Sequence, residues 1–528
     1  MSPNAVRSDV VRKPFKKIVL ATVPLRVDSY NNTHYPPLGI LYIAATLEAN
    51  GYDVDVLDAA LDALPDEQIV QEIEARKPDM VGLTCTTHNR LEMRDLARAI
   101  KKAMPAVFLV VGGPHVSFCP EDTLRHTPVD AVVIGEGEAK TLDLVSGKPL
   151  DEIPGLAYRA GGGASESGAS ESEVVINPDK GFIKDLDSLP SPARHKVDMG
   201  RYPGYSTLKR RTTHVLSNRG CPFGCIYCCA THFWGRTTRS LSAEKVVAEI
   251  DTLVNTYGFR ALYFYDDAFT ADRKKAERVC QALVDRKLGI IWGTSTRIDL
   301  VNGGLLKLMA KAGCRQIDYG LETLNPAAQA KVGTKATYER ARDVMRMTVD
   351  AGIKHVKVYL IIGLPGDTPS QMRETFAKTL STCATEVSTQ VLRIYPGTPI
   401  ERIAQERGML PKEFSWYEDF REGWSLFASV PEFTEWPRDI LEKQYSFLKK
   451  YLRLSGFIRQ RLPRFMLPAF AKIDPVLFRA ITGRMDCFKD QPATAEDGGQ
   501  NVAADAASAA PTGAEASSVE PTPAACHQ

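Results

Sequence analysis

No run in this 528-residue chain approaches the roughly 18 apolar residues that a membrane-spanning helix needs, so membrane contact is peripheral if it occurs. The stretch from Met1 to Lys17 is basic and has no apolar core of the secretory kind. An excess of one charge is missing too. The 66 Lys and Arg against 64 Asp and Glu leave a net +2, which excludes a general attraction to nucleic acid. A disulfide framework is also lacking: outside one cluster the 11 cysteines fall singly, and their odd number fits a reducing compartment. The expectation is a cytoplasmic protein. With 44% hydrophobic and 25% charged residues, the chain is able to bury two substantial cores and a small third.

The cluster is Cys221-Pro222-Phe223-Gly224-Cys225-Ile226-Tyr227-Cys228, a C-x3-C-x2-C run behind Val215-Leu216-Ser217-Asn218-Arg219-Gly220. Three thiolates this close in sequence converge on one metal centre. A structural zinc site closes four ligands into a tetrahedron, and no C-x2-C or H-x3-H pair follows at finger spacing. Cys229 is a nominal fourth ligand, but its side chain, directly after Cys228, is expected to point elsewhere. Three ligands suit a [4Fe–4S] cluster that leaves one iron open.

Upstream, strands are expected at 16–23, 54–57, 80–83, 107–111 and 131–134, with helices over 38–50, 66–75 and 90–103. This α/β alternation predicts a doubly wound, flavodoxin-like parallel sheet over residues 15–145, behind a tail at 1–14. Ligands belong at the carboxyl ends of its strands. The loops there contain Gly39, Thr84, Gly112-Gly113 and Gly135-Glu136-Gly137-Glu138. Paired glycines let a ligand approach the backbone closely, and helix N-termini favour phosphate. A connector over 146–210 follows, with a mobile Gly/Ser/Glu loop at 161–172 between two hairpin strands, 155–159 and 174–176.

Downstream, strands at 261–265, 290–293, 316–319, 356–362 and 389–394 alternate with helices near 243–257, 274–287, 305–312, 338–351 and 370–380. With the strand before Cys221, about six βα units make a partial, TIM-like barrel over 211–405, whose catalytic groups belong at the carboxyl ends of the strands. Those ends contain Asp266, Asp267, Arg297, Glu322, Gly363 and Gly366. Tyr227, Phe233 and Trp234 are expected to pack and exclude water, with His232 beside them. Residues 406–490 read as a small, mostly helical cap, including a helix over 437–460 and a basic, apolar stretch at 459–467 suited to a membrane surface. Ala, Ser, Pro and Thr dominate from 491 to 528, which predicts disorder.

The cysteine spacing, with aromatic Tyr227 just before the third Cys, resembles the radical S-adenosylmethionine (SAM) enzymes. The glycine loops upstream resemble the cobalamin-binding domain that precedes the radical SAM domain in one large subfamily. The resemblance covers about residues 15–405. It implies that Cys221, Cys225 and Cys228 hold a [4Fe–4S] cluster whose open iron chelates SAM. It also implies that Asp266 and Asp267 lie at the amino group of SAM, that Arg297 forks onto its carboxylate, that Glu322 takes the ribose hydroxyls and that Gly363 and Gly366 approach adenine. Gly112 and Gly113 would line the nucleotide tail of cobalamin, while Gly39, Thr84 and Gly135 to Glu138 would border the corrin. One departure stands out. Domains that place a histidine on cobalt carry D-x-H-x-x-G, whereas this chain has Asn32-Thr33-His34-Tyr35-Pro36-Pro37. His34 is therefore expected to be an ordinary loop histidine, with no lower ligand from that motif.

The implied activity is methylation of an unactivated carbon, with a 5′-deoxyadenosyl radical from SAM and a methyl group carried by cobalamin. Two alternatives stay open: a non-methylating oxidation or cyclisation like that of the anaerobic magnesium-protoporphyrin ester cyclases, and an iron–sulfur protein without turnover. No catalytic side chain is singled out. The expected partners are a small-molecule substrate, with a lipid or tetrapyrrole among the candidates, and an external electron donor such as flavodoxin or ferredoxin. Nothing in the residues spells out the substrate.

Overall fold

Uninterrupted apolar runs such as Ile18-Val19-Leu20-Ala21, fully or almost fully buried, need cover on both faces, and that is what a parallel sheet between helices supplies. The computed structural model describes residues 14–25, 35–160, 173–202, 204, 208, 210–411, 413–418, 433, 440, 441, 443, 444 and 446. Most of the N-terminal tail, His34, the loop over 161–172, the greater part of the helix expected over 437–460, the stretch 459–467 and the tail over 491–528 lie outside the described residues.

The first sheet takes in β1 (Lys17–Ala21), β2 (Asp53–Leu57), β3 (Met80–Thr84), β4 (Phe108–Gly112) and β5 (Ala131–Val133), all parallel, in the order 2-1-3-4-5. β1 pairs with β2 on one side and β3 on the other, so the winding reverses there and leaves a crevice at the carboxyl ends. Helices Leu38–Ala49, Asp66–Ala75 and Arg90–Ala103 fall within one residue of their expected bounds. The expected hairpin is present as β6 (Leu156–Arg159) and β7 (Val174–Ile176), and it does more than connect: β6 pairs antiparallel with β5 and extends the first sheet.

The second sheet contains β8 (Thr212–Val215), followed along the chain by a short antiparallel ribbon of β9 (Asn218–Arg219) and β10 (Arg239–Ser240). It continues through β11 (Ala261–Phe264), β12 (Ile291–Arg297), β13 (Cys314–Glu322), β14 (His355–Ile362) and β15 (Glu386–Val391). Its six strands are parallel in the order 15-14-13-12-11-8, the open barrel that the alternation predicts. Val356, Val358, Leu360 and Ile362 face the covering helices, while Lys357 and Tyr359 alternate with them onto the lumen side. β15 starts and ends three residues earlier than the apolar run suggests, since Glu386 and Ser388 pair with Lys357 and Tyr359 despite their polarity.

The connector is a brace. Ala193 N–H donates to Leu41 O at 3.0 Å, and Arg194, buried, bonds Glu249 at 2.6 Å on the barrel helix Ala243–Asn255. The last segment is tied to the first domain where it is described. Trp416 N–H donates to Asp122 Oδ2 at 2.9 Å and the Tyr417 hydroxyl to Thr123 Oγ1 at 3.0 Å, both on the first domain.

A candidate cofactor site between the two sheets

The cysteine loop leaves β9 through Gly220, whose φ of +96° and whose Cβ position, 2.3 Å from Thr237 O, admit no side chain. Cys221, Cys225 and Cys228 carry free thiols. Burial pushes Cys221 up to about 11 and Cys228 up to about 12, and raises Cys225 as well. Core cysteines such as Cys280 are raised as far, so it is the placing of three free thiols in one loop that fits a thiolate-bound metal cluster, whose positive charge would let them ionise. Among the described residues no three His, Cys, Asp or Glu stand close enough to hold a metal ion directly. The three cysteines nevertheless act on one another electrostatically, and a multi-iron cluster spans its thiolates more widely than one ion does.

Behind the loop, Tyr227 is buried and its hydroxyl bonds both Cys225 and Glu322. The Arg297 guanidinium stacks 4.0 Å from the Phe223 ring, with Nη1 3.7 Å from Cys225 Sγ. Its fork is taken by Asp299, through Nε–Oδ1 and Nη2–Oδ2 distances of 2.9 Å each. A SAM carboxylate would therefore have to share or displace Asp299. Glu322 ends β13 at a bulge with φ +61°, a strained conformation for a residue with a side chain. Burial pushes its carboxyl up to about 7, and its buried Oε2 has no partner among the described residues. Gly363 and Gly366 both take positive φ in the next loop, where a Cβ on Gly366 would lie 2.9 Å from Lys331 Nζ.

The paired aspartates divide sharply. Asp266 is buried and saturated: Oδ1 accepts from the backbone of Ser217 at 2.7 Å and of Asn218 at 3.1 Å, and Oδ2 from the Ser217 hydroxyl and Asn218 Nδ2. It holds the cysteine loop to the second strand and has no lone pair aimed at a ligand. Asp267 faces the other way, into open space, where burial and the Asp266 charge push it up to about 7 against a Gly220 backbone bond.

That space is a cavity of about 360 Å³ between the two sheets. Gly39, Thr84, Gly112, Gly113, Gly135, Glu136, Gly137 and Glu138 all line it from the first domain. His214, Asn218, Arg219, Trp234, Tyr265 and Asp267 line it from the barrel. Gly113 is obligatory: at φ +110° an added Cβ would lie 2.5 Å from Cys85 O. The two glutamates do less for a ligand than their position suggests. Glu136 accepts from Arg219 at 2.7 Å and Arg239 at 2.8 Å, and Glu138 from Arg219 at 2.6 Å, because buried carboxylates need partnered charge. Only the backbone and glycines of that loop are left for a corrin. His232 sits on the short helix Cys229–Phe233 outside the cavity lining.

Sequence reasoning missed Arg219, Arg239 and His214. Arg219 and Arg239 find their partners 81 to 103 residues away, and His214 is hidden inside an ordinary strand, Thr212-Thr213-His214-Val215. A charged pair on a two-residue ribbon was the one available signal.

Residues 28–145 match the B12 binding domain family and residues 215–378 the Radical SAM superfamily. The chain is 31% identical over 403 residues to an uncharacterized methyltransferase of Pyrococcus horikoshii, covering 75% of this chain and 84% of that protein. It is 32% identical over 350 residues to the anaerobic magnesium-protoporphyrin IX monomethyl ester cyclase of Rubrivivax gelatinosus, covering 65% and 61%. Its fold is similar to that of the radical SAM methyltransferase TsrM from Kitasatospora setae, solved with cobalamin and a [4Fe–4S] cluster bound. The TM-score is 0.62 at 21% identity, over 74% of this chain and 75% of that one. A glycine-lined first domain, a three-cysteine loop and an open barrel facing one cavity thus agree with the comparisons: the chain belongs to the cobalamin-binding radical SAM enzymes.

Proposed function

We propose that this protein methylates an unactivated carbon of a small-molecule substrate, using SAM, a [4Fe–4S] cluster and cobalamin. One observation carries the reading. Asp267 lines the glycine-walled cavity while its charge acts on both Cys221 and Cys228, so the two cofactor regions open onto one space. When bound, these groups supply the 5′-deoxyadenosyl radical and the transferable methyl group. The protein's part is placement and exclusion of water.

Cys221, Cys225 and Cys228 would hold the cluster. Asp267, not Asp266, is the carboxylate free to meet the amino group of SAM. Glu322, with an unmet oxygen, suits the ribose hydroxyls, and the backbone at Gly363 and Gly366 suits adenine. Gly39, Thr84, Gly112, Gly113 and Gly135 to Glu138 would form the cobalamin wall, with the two glutamate side chains clamping it. An external one-electron donor such as flavodoxin or ferredoxin would supply the electron for reductive cleavage of SAM. No helix of the described residues is long and apolar enough to cross a membrane.

The test is anaerobic reconstitution with iron, sulfide and hydroxocobalamin, followed by product analysis against candidate substrates. Methylated product together with S-adenosylhomocysteine supports methylation. The identity to the Rubrivivax gelatinosus cyclase favours one second reading, a non-methylating oxidation or cyclisation. 5′-Deoxyadenosine without S-adenosylhomocysteine would select it, and failure of reductive SAM cleavage would leave an iron–sulfur protein without turnover.

A further inference from the structure

Among the described residues lining the interdomain cavity, His214 is the histidine. It lies on β8, in register with Tyr263 of β11, and its side chain turns toward the lumen and the cavity. The Tyr35 ring meets it edge-on at 4.9 Å, and the Tyr265 ring is 5.3 Å away. The residue is only 6% exposed, yet Nδ1 has no hydrogen-bond partner among the described residues. The bond that His214 does make is through its carbonyl, which accepts from Arg194 Nη2 at 2.7 Å.

His232 Nε2 is also buried without a partner among the described residues, but His232 lies outside the cavity lining, and two further histidines are bonded. His115 meets Thr87 Oγ1 at 3.3 Å and Cys119 Sγ at 3.5 Å, and His88 meets the Tyr395 hydroxyl at 3.3 Å. Those rings are held within the protein. An imidazole carries one donor and one acceptor, and leaving such groups buried and unmet is costly, so a ring in a cavity wall with an unmet nitrogen is one that an occupant of the cavity can satisfy once the ring turns toward it. The glycine loops, Gly112, Gly113 and Gly135 among them, line the same cavity from the first domain. An occupant held by those loops shares the cavity with His214.

We propose that His214 contacts the cofactor, its imidazole hydrogen-bonding a side-chain amide of the corrin from the barrel side. This rests on the reading that the cavity takes cobalamin. Burial and the nearby Arg194 charge hold the ring well below the usual histidine range, so it is uncharged at neutral pH. An uncharged donor and acceptor between Tyr35 and Tyr265 suits a neutral amide and disfavours a phosphate or carboxylate.

The experiment is a titration of the full-length, cluster-reconstituted protein with hydroxocobalamin, followed by visible absorbance. His214→Ala should weaken binding about tenfold and alter the bound spectrum, with iron content and SAM affinity unchanged. His214→Gln, which keeps a donor and an acceptor, should recover most of the affinity even if the alanine variant folds poorly. Wild-type affinity and spectrum in both variants would overturn the proposal. So would unchanged cobalamin binding with a raised substrate KM, which assigns His214 to the substrate instead. If the unaltered protein binds no hydroxocobalamin, it is the cavity reading that fails, a result distinct from either variant's.

Discussion

The Arg219 guanidinium lies 2.7 Å from the Glu136 carboxylate, so a ribbon residue of the barrel and a loop residue of the first domain share one buried ion pair. Arg219 also reaches Glu138 at 2.6 Å, and its face lies 5.0 Å from the Tyr42 ring. The fork ties the first domain to the barrel beside the cavity that both line. Its planar geometry matters as much as its charge.

Arg219→Ala leaves two carboxylates buried without that partner, and removing one member of a buried pair costs about 3–5 kcal/mol. A loss of that size in the unfolding free energy of the apoprotein, seen as a lower denaturant midpoint, is expected. Arg219→Lys should fall between, since it keeps the charge but not the fork. A midpoint unchanged in Arg219→Ala would mean that the clamp contributes nothing to holding the domains together.

Cys225→Ala tests the cluster directly. Arg297 and Tyr227 both contact this thiol, but neither supplies a thiolate. Iron and sulfide per protein should fall to near zero after anaerobic reconstitution, and reductive formation of 5′-deoxyadenosine should stop. Retained deoxyadenosine production by this variant would refute the assignment of the three cysteines.

The architecture was legible because strands such as Ile18 to Ala21 are buried on both faces and helices such as Arg90–Ala103 present one apolar stripe. Both patterns are local. Helix Pro326–Val332 carried its own start signals, an Asn325 N-cap and Pro at the first position, but is too short for periodicity to show. The site was legible in position more than in role. The glycine loops do line one cavity, yet nothing in Gly-Glu-Gly-Glu announces that Arg219 and Arg239 occupy the carboxylates. Nor does Asp266-Asp267 say which member is enclosed, because the period of two fails where β11 ends and the chain turns.

Those two aspartates give a contrast of substitutions one residue apart. Asp266→Asn places an amide hydrogen against the Ser217 hydroxyl and Asn218 Nδ2, which now donate to Oδ2, and Lys275 stands 3.9 Å behind. A loss of about 3 kcal/mol in stability is expected from breaking this buried network. Asp267→Asn, which removes a carboxyl that burial and the Asp266 charge push up to about 7, should not lower the unfolding midpoint and should instead weaken SAM binding, measured by equilibrium dialysis on the reconstituted protein. The reverse pattern would exchange the roles assigned here.

Asp367 offers a pH signature away from the cysteines. It is 2% exposed, and burial pushes its carboxyl from an ordinary 3.8 up to about 6, against the Asn325 amide that donates to Oδ1 at 2.7 Å. A raised carboxyl pKa means that the folded protein keeps a proton that the unfolded chain has already released. Between pH 3.8 and about 6 the unfolded state binds fewer protons, so stability falls as pH rises through that window and is level above it. At 1.36 kcal/mol per unit, discounted for residual solvation, the loss is about 2 kcal/mol. Asp367→Asn keeps an acceptor for Asn325 and has no proton to lose. Denaturant midpoints of the apoprotein and this variant should therefore converge near pH 4 and separate by pH 7, with the variant the more stable of the two. Parallel profiles across that range would show that the Asp367 carboxyl titrates normally, and the burial argument for this loop would fail with it.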